Sequence, residues 1–331
     1  MDSFEWVCIK NKDHVYDTVT AERNSYFCPQ CAYGEGILIK KPVSNGQEGY
    51  NTLPEGARQK SKANRIIEPD PFAPMDDLGL CIMLLDCSGS MWEPAFDDHP
   101  MLKKDLIANS VSAGIFSLSG NPLKEYAYVL ILGFDHKIDT LVPYTSIKNL
   151  VEEYGDVSKL EQALKDKMEK KKGATDINGA LEAAFKFTQQ FINSEITALG
   201  EYKPRIQMVL DDDLMNHQIP NVRVLLFTDG GQYMGDGKTK INASPFKKLE
   251  YDGKVIDLLM GAYYGTSEDS DYHKLKELVS KCPRHPEVDQ FFLFDEPNKL
   301  TNLKGLFRMA SGASGFCPTC LEEATTVVRE I

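Results

Sequence analysis

The stretch "LCIMLLDCSGSM", residues 80–91, joins an apolar run to a polar turn and gives the clearest indication of the fold. The run has the length of a strand, and its residues do not alternate cleanly between apolar and polar. A continuous apolar strand of this kind is typical of a sheet that is buried on both faces. Asp86 ends the run, and Ser88 and Ser90 follow on the turn. Polar side chains therefore stand at the carboxyl end of a buried strand, where open α/β sheets bind ligands.

Four more apolar runs of strand length follow along the chain, and helix-like stretches separate most of them. The runs are "YAYVLILGF", "VRVLLFTD", "VIDLLMGAYY" and "FFLFDE". This alternation predicts a parallel sheet with helices on both faces. The link "DHK" between "YVLILGF" and "IDTLVPY" is too short for a crossover, so it predicts an antiparallel hairpin. We therefore predict an α/β fold with a doubly wound, mostly parallel sheet and one antiparallel edge strand.

Changes in composition divide the chain into four predicted regions. Residues 1–42 form a zinc-ribbon-like module, and residues 43–76, rich in Gly, Pro, Asn and charges, form a linker or wrapping segment. Residues 77–315 form the α/β domain, and residues 316–331 form a C-terminal zinc knuckle and tail. Within the α/β domain, residues 197–221 look like an insertion before the third apolar run.

The composition of the 331 residues is that of an ordinary globular protein, with 42% hydrophobic and 26% charged residues. No apolar run approaches the roughly 18 residues of a membrane helix, and the N-terminus shows no secretory signal, so we predict a cytoplasmic protein. The formal net charge of −12 argues against broad binding to nucleic-acid phosphates. It suits a protein that recruits metal cations or basic partners.

Carboxylates and hydroxyls gather at the predicted carboxyl edge of the sheet. Asp86, Ser88 and Ser90 come from the first strand, Asp229 ends the strand in "LLFTDGG", and Thr175 lies in the turn "KGATDINGAL" before a helix. Taken alone, Asp86, Ser88, Ser90 and Asp229 also fit a helix cap or a turn. Together they form an all-oxygen set, which suits Mg²⁺ or Mn²⁺. An acidic residue of a partner would be a good sixth ligand for such an ion.

These five residues, in this order and context, resemble the metal-ion-dependent adhesion site (MIDAS) of von Willebrand factor type A (VWA) domains. The resemblance covers about residues 77–315 and includes the antiparallel hairpin strand. It implies that Ser88, Ser90 and Thr175 bind the metal, and that Asp86 and Asp229 bind it directly or through water. Intracellular VWA proteins serve as metal-dependent docking platforms. The pairing with zinc elements also loosely resembles the bacterial tellurite-resistance-associated VWA proteins.

We therefore predict an intracellular docking or scaffold protein, without enzymatic activity, that works in a bacterial stress-response, signalling or defence complex. Two alternatives remain. One is a Mg²⁺-dependent phosphoryl-transfer or hydrolytic enzyme that uses Asp86, although neither the second Asp of haloacid-dehalogenase-like enzymes nor a G-x-S-x-G motif is present. The other is a nucleic-acid adaptor that uses the zinc modules, for which the few lysines of the N-terminal module offer little support.

The eight cysteines include two C-x-x-C pairs, which in a cytosolic chain indicate metal ligation rather than disulfides. Cys28 and Cys31 stand in "FCPQC", and Cys8 and His14 upstream would complete a local zinc site of three thiolates and one imidazole. Two alternatives stay open for the second pair in "FCPTC". It either joins Cys28 and Cys31 in one shared four-cysteine site or uses Cys282 and His285. The residues of this second pair are Cys317 and Cys320.

Overall fold

A computed structural model gives the fold of the chain. It describes residues 4–8, 11–23, 28, 30, 38–42, 79–96, 99–120, 124–125, 127–192, 221–234, 240–243, 249–251, 254–256, 259–282, 285–295, 303–310 and 317–327. The predicted linker at 43–76 lies outside the described residues, and so does the predicted insertion up to residue 220.

A small antiparallel sheet with one short helix forms the N-terminal module. Its elements are β1 (Phe4–Cys8), β2 (Val15–Tyr16), α1 (Thr18–Arg23) and β3 (Leu38–Pro42). The strand order is β2-β1-β3, so β1 lies in the middle. A separate apolar cluster fills this module, and it consists of Trp6, Cys8, Ala21, Cys28 and Leu38.

In the described residues, a six-stranded sheet forms the centre of the α/β domain, and all but one neighbouring pair of these strands run parallel. The strands are β4 (Gly79–Asp86), β5 (Ala127–Phe134), β6 (Ile138–Ser146), β7 (Asn221–Thr228), β10 (Leu259–Tyr263) and β11 (Phe291–Leu293). Their order is β11-β10-β7-β4-β5-β6, and β6 pairs antiparallel with β5 at one edge. The predicted mostly parallel sheet with one antiparallel edge strand is confirmed.

Helices cover both faces of this sheet. They are α2 (Lys103–Phe116), α3 (Ile147–Tyr154), α4 (Val157–Met168), α5 (Ile177–Ile192), α6 (Ser270–Lys276), α7 (Leu303–Ala310) and α8 (Pro318–Val327). None of the helices in the described part of the chain is long and apolar enough to cross a membrane.

The side chains of β4 show why its sequence is apolar throughout. Met83 and Leu85 point into the core that α2, α4 and α7 cover, whereas Ile82 and Leu84 point into a second core under α5 and α6. Successive strand residues face opposite sides, so a strand with helices on both sides must be apolar at every position. β4 is therefore a central buried strand, and the packing of both its faces holds its carboxyl end in position.

The structure differs from the sequence prediction at three places. The run "VIDLLMGAYY" is not one strand, because its first residues pair in a separate hairpin of β8 (Leu249–Tyr251) with β9 (Lys254–Ile256). The sequence pattern does not predict helix α3, which begins directly at the end of β6, where the Ser146 hydroxyl accepts a hydrogen bond from the Asn149 N–H. The predicted C-terminal knuckle and tail contains α8, with Cys320 in its first turn.

Candidate metal centre

The parallel pairing of β4 with β7 brings two polar strand ends together. Leu85 of β4 pairs with Phe227 of β7. The next residues along the two strands are therefore Asp86 and Thr228. The Thr228 hydroxyl donates a hydrogen bond of 2.6 Å to Asp86 Oδ2. Asp86 and the turn after Thr228 therefore share the carboxyl edge of the sheet, as the sequence predicts for the site.

Asp86 is completely buried, and both of its carboxylate oxygens accept hydrogen bonds. Oδ2 is held by Thr228, and Oδ1 accepts a bond of 2.8 Å from the Ser88 N–H. Burial and the neighbouring Asp229 carboxylate raise the pKa of Asp86 to about 7. A cation beside this carboxylate would counter both effects, because it would offset the negative charge that burial disfavours.

Two hydroxyls and a second carboxylate lie near Asp86. Ser88 Oγ lies 3.2 Å from Ser90 Oγ, and the Ser90 hydroxyl donates a bond of 2.7 Å to Asp229 Oδ1. Ser90 and Asp229 are 139 residues apart in the sequence, so the sheet topology creates this contact. The side chain of Asp229 is only 2% exposed.

Thr175 lies on a loop that is tied to both of these strand ends. Its backbone forms two hydrogen bonds with Tyr233, of 2.7 and 2.8 Å, which anchor the loop to the segment after β7. The Gly89 N–H donates to the Gly173 carbonyl at 3.2 Å, which joins the loop to the serine turn. The structure thus places the loop of Thr175 beside the segments that carry the other four predicted site residues.

A buried ion pair at Asp135 and Lys171 holds the Thr175 loop. Lys171 Nζ lies 3.0 Å from Asp135 Oδ1, and both side chains are only 4% exposed. Asp135 Oδ2 also accepts a bond of 3.0 Å from the Gly173 N–H. Burial alone would raise the pKa of Asp135, but the Lys137 and Gly173 N–H groups and the Lys171 ammonium lower it below its usual value. Asp135 therefore stays ionised and holds the loop.

Lys103, at the start of α2, provides a cation at this site. Its ammonium lies 2.8 Å from Asp229 Oδ2 and 3.0 Å from Glu93 Oε2. The site thus already attracts positive charge, and its predicted donor set consists of carboxylate and hydroxyl oxygens only. These donors fit a hard divalent cation such as Mg²⁺ or Mn²⁺.

A sulfur and nitrogen cluster lies in the N-terminal module. Ligand atoms of Cys8, His14 and Cys28 all lie within 4.8 Å of one another, and Cys28 Sγ is 3.3 Å from His14 Nδ1. The Cys8 N–H donates to the His14 carbonyl at 2.9 Å, so the turn between β1 and β2 brings His14 back to Cys8. The predicted fourth residue, Cys31, lies outside the described residues.

The second cysteine pair lies in a different cluster. Cys317 and Cys320 meet Cys282 and His285, with all four ligand atoms within 4.8 Å of one another. Of the two alternatives open from the sequence, the structure brings together the set with Cys282 and His285. In the described residues, Cys28 groups with Cys8 and His14 instead.

Several residues that shape the candidate metal centre are hard to identify from the sequence. The sequence gives a weak indication that Thr228 belongs to the site, because it is a hydroxyl residue directly before Asp229 at a strand end. It gives none for Lys103 and Tyr233, because their contacts with Asp229 and Thr175 depend on how distant segments pack. Asp135 fits a hairpin turn, and its second role, in holding the loop at residue 173, is visible only in the folded chain.

No protein-family model matches the sequence, and the curated proteins give no match. Several solved structures are similar to this chain, at low identity. The von Willebrand factor type A protein from Catenulispora acidiphila has 14% identity and a TM-score of 0.41, over 71% of this chain and 43% of that chain. Proximal thread matrix protein 1 from the mussel byssus, "with zinc occupied MIDAS motif", has 13% identity and a TM-score of 0.39, over 71% and 48%. The manganese-loaded Plasmodium vivax TRAP protein has 15% identity and a TM-score of 0.39, over 70% and 74%.

This chain spans less than half the length of the Catenulispora and mussel proteins, with 43% and 48% of those chains covered. The likeness is distant both in sequence and in coordinates. A solved von Willebrand factor type A structure is among the structural neighbours of this chain.

Proposed function

We propose that this chain is an intracellular docking or scaffold protein that binds a protein partner through a divalent cation. The cation is Mg²⁺ or Mn²⁺, and the residues that would hold it are Asp86, Ser88, Ser90, Thr175 and Asp229. When bound, the ion would supply an electrophilic position for an Asp or Glu of the partner. The observation that carries the proposal is the Ser90 hydroxyl, which contacts both Ser88 Oγ and Asp229 Oδ1 and so joins two strand ends in one oxygen cluster.

The surface around the oxygen cluster supports a protein partner. Tyr233 and Met234 are 46% and 39% exposed, and Tyr233 itself pairs with Thr175. Exposed aromatic and methionine side chains are enriched at protein interfaces. Lys172 is exposed on the Thr175 loop, and its ammonium lies 5.0 Å from the ring centre of Trp92. The surface around the oxygen cluster thus offers apolar contacts and positive charge. These suit an acidic residue of the partner that lies within an apolar segment.

The burial of Asp86 favours docking over catalysis. A nucleophilic carboxylate must reach the substrate, but Asp86 has no exposed surface and both of its oxygens accept hydrogen bonds within the protein. The enzymatic alternative is tested by a phosphatase or nuclease assay with the Asp86→Ala variant as control. Turnover that is lost in this variant would contradict a purely docking function.

The first experiment measures binding of Mn²⁺ to the zinc-loaded full chain by electron paramagnetic resonance. Thr175→Ala should weaken binding by about tenfold or more, which corresponds to about 1.4 kcal/mol. Thr140→Ala is the matched control, because Thr140 is exposed on β6. Equal Mn²⁺ affinity of Thr175→Ala and the wild type would contradict the assignment of the site.

The second experiment tests the partner. The wild type and Thr175→Ala, both zinc-loaded, are used side by side to capture proteins from the native host in the presence of Mg²⁺. A partner should be recovered with the wild type alone, and changing one Asp or Glu of that partner to Asn or Gln should abolish binding. Undiminished capture by Thr175→Ala would contradict docking through the metal. The identity of the partner would also test the predicted stress-response, signalling or defence role.

The N-terminal cluster is proposed to hold a structural zinc ion, with Cys31 as the fourth ligand beside Cys8, His14 and Cys28. A module this small buries little apolar surface, and a metal can supply the missing free energy of folding. Cys31→Ser should remove one zinc ion from the protein, as measured by elemental analysis. The nucleic-acid alternative predicts salt-dependent binding of DNA or RNA that is lost in Cys28→Ser but kept in Asp86→Ala.

A further inference from the structure

We infer that Cys282, His285, Cys317 and Cys320 hold a second, structural zinc ion that fastens the C-terminal helix α8 to the α/β domain. These residues come from two segments that are separated by β11 and α7 in the sequence.

The backbone on both sides is arranged to present ligands. The Cys282 N–H donates to the Val288 carbonyl at 2.8 Å, and the Val288 N–H donates to the His285 carbonyl at 2.8 Å. These two bonds close a turn that places His285 beside Cys282. On the other segment, Cys317 directly precedes α8 and Cys320 lies three residues later, so both thiols face the same side of the first turn.

The distances between the ligand atoms match a tetrahedral zinc site. Zn–S bonds of about 2.3 Å and Zn–N bonds of about 2.05 Å give tetrahedral edges of about 3.8 Å between two sulfurs and about 3.6 Å between sulfur and nitrogen. Cys320 Sγ lies 3.8 Å from Cys282 Sγ and 3.7 Å from Cys317 Sγ. His285 Nδ1 lies 3.8, 3.4 and 3.5 Å from the sulfurs of Cys282, Cys317 and Cys320.

A disulfide or a group of unligated thiols fits these positions less well than zinc. A disulfide needs two sulfurs about 2.05 Å apart, whereas Cys320 Sγ lies 3.8 and 3.7 Å from the sulfurs of Cys282 and Cys317. Cys282, Cys317 and Cys320 are at most 3% exposed and belong to the apolar core, where an uncompensated cluster of polar groups would be costly. Four protein ligands close the coordination shell, which is typical of structural rather than catalytic zinc.

The packing of α8 indicates that the zinc ion would attach this helix to the domain. Leu321 of α8 lies over Gly305 of α7, where an added Cβ would come within 2.8 Å of Leu321 Cδ1. The helix α7 in turn packs against α2 and β7. A helix of ten residues is too short to be stable by its own backbone hydrogen bonds, so it depends on its attachment to the domain. A zinc ion between Cys320 and Cys282 would therefore anchor the start of α8.

The test counts zinc in the full chain by elemental analysis and follows α8 by hydrogen exchange. We expect two zinc ions in the wild type and one in Cys282→Ser, together with loss of exchange protection in α8. Cys81→Ala is the matched control, because Cys81 is a buried cysteine of β4 outside both clusters, and it should keep both ions. Wild-type zinc content in both Cys282→Ser and His285→Ala would overturn the inference.

A second measurement covers the case in which Cys282→Ser fails to fold. Cobalt is added to metal-stripped Cys28→Ser protein, in which the N-terminal cluster has lost a ligand. The absorption bands of tetrahedral cobalt with thiolate ligands should appear at one equivalent, and their absence would overturn the inference. Because neither measurement involves the oxygen cluster, a failure here leaves the docking function untouched.

Discussion

The ammonium of Lys103 lies 2.8 Å from Asp229 Oδ2, within the predicted metal centre. The side chain of Lys103 is 13% exposed and that of Asp229 is 2% exposed, so water screens this pair only partly. Burial alone would lower the pKa of Lys103, but the carboxylates of Asp229 and Glu93 raise it above its usual value. Lys103 therefore stays charged, and it would compete with a divalent cation for the same carboxylate.

Replacing this lysine should strengthen metal binding. In Lys103→Met, the carboxylate of Asp229 loses its competing cation, and we expect Mn²⁺ to bind about tenfold more tightly, or about 1.4 kcal/mol. Lys104→Met is the control, because Lys104 pairs with Asp105 and Glu169 rather than with Asp229. Titration followed by electron paramagnetic resonance measures both. Unchanged or weaker affinity in Lys103→Met would show that the lysine does not compete with the ion.

The hydroxyl of Thr228 should tune the metal centre through Asp86. Thr228→Val keeps the shape of the side chain but removes the 2.6 Å bond to Asp86 Oδ2, which leaves a buried carboxylate oxygen without this donor. We expect a loss of about 1–3 kcal/mol in the free energy of unfolding and weaker Mn²⁺ binding. Thr188→Val removes a buried hydroxyl that donates to the Ala184 carbonyl within α5, so it should leave Mn²⁺ affinity unchanged. Urea denaturation and metal titration distinguish the two variants.

The sequence predicts those features that local pattern controls. Continuous apolar runs identify five strands of the main sheet, because a strand covered on both faces is apolar at every position. The three-residue link after β5 identifies the antiparallel edge strand β6, because so short a link allows no crossover. Asp86 and Asp229 are recognisable because Asp86 ends a buried strand and Asp229 directly follows another.

The sequence cannot predict which distant residues meet. Two sets of partners are open for Cys317 and Cys320 in the sequence, and only the fold places the pair beside Cys282 and His285, which lie more than 30 residues away. Lys103 carries no local sign that it reaches a carboxylate 126 residues further on. Helix α8 lacks a strong apolar pattern, so its sequence looks like a tail.

The buried pair of Asp135 and Lys171 should contribute to both stability and metal binding. Asp135→Ala leaves the Lys171 ammonium with its more exposed partner Asp139, and it frees the Gly173 N–H that anchors the Thr175 loop. We expect a loss of about 3 kcal/mol in the free energy of unfolding and weaker Mn²⁺ binding. Asp139→Ala should cost less than about 1 kcal/mol, because its side chain is 64% exposed. Equal losses in the two variants, measured by urea denaturation, would contradict this assignment.

The same pair gives a pH dependence with a definite sign. The pKa of Asp135 is lower in the folded chain than in the unfolded chain. Its contribution to stability is therefore complete above the unfolded pKa of about 4 and is lost as the pH falls through the folded pKa. In this acidic range, the urea concentration at the midpoint of unfolding should decrease for the wild type as the pH is lowered. It should decrease less for Asp135→Ala. An identical decrease in the variant would show that other carboxylates cause it.

His99 joins the N-terminal module to the α/β domain through its neutral ring, which carries the proton on Nε2. Its Nδ1 accepts a hydrogen bond of 3.0 Å from the Met101 N–H, so the Nε2–H donates to the Leu38 carbonyl at 2.7 Å. The rings of Trp6 and Phe96 pack edge-on against it, with centroid distances of 5.4 and 4.7 Å. Burial lowers the pKa of His99, although the bond to Leu38 opposes the shift. Protonation of Nδ1 would break the bond from Met101.

Acidification should therefore loosen the N-terminal module. Because the folded pKa of His99 is lowered, its contribution to stability is present above about pH 6.5 and is lost as the pH falls through the folded pKa. Fluorescence of Trp6 in a Trp92→Phe background should shift to longer wavelength over this range, since Trp6 is buried against His99. His99→Gln should show no such transition. A transition of the same size in His99→Gln would assign the pH dependence to other groups of the module.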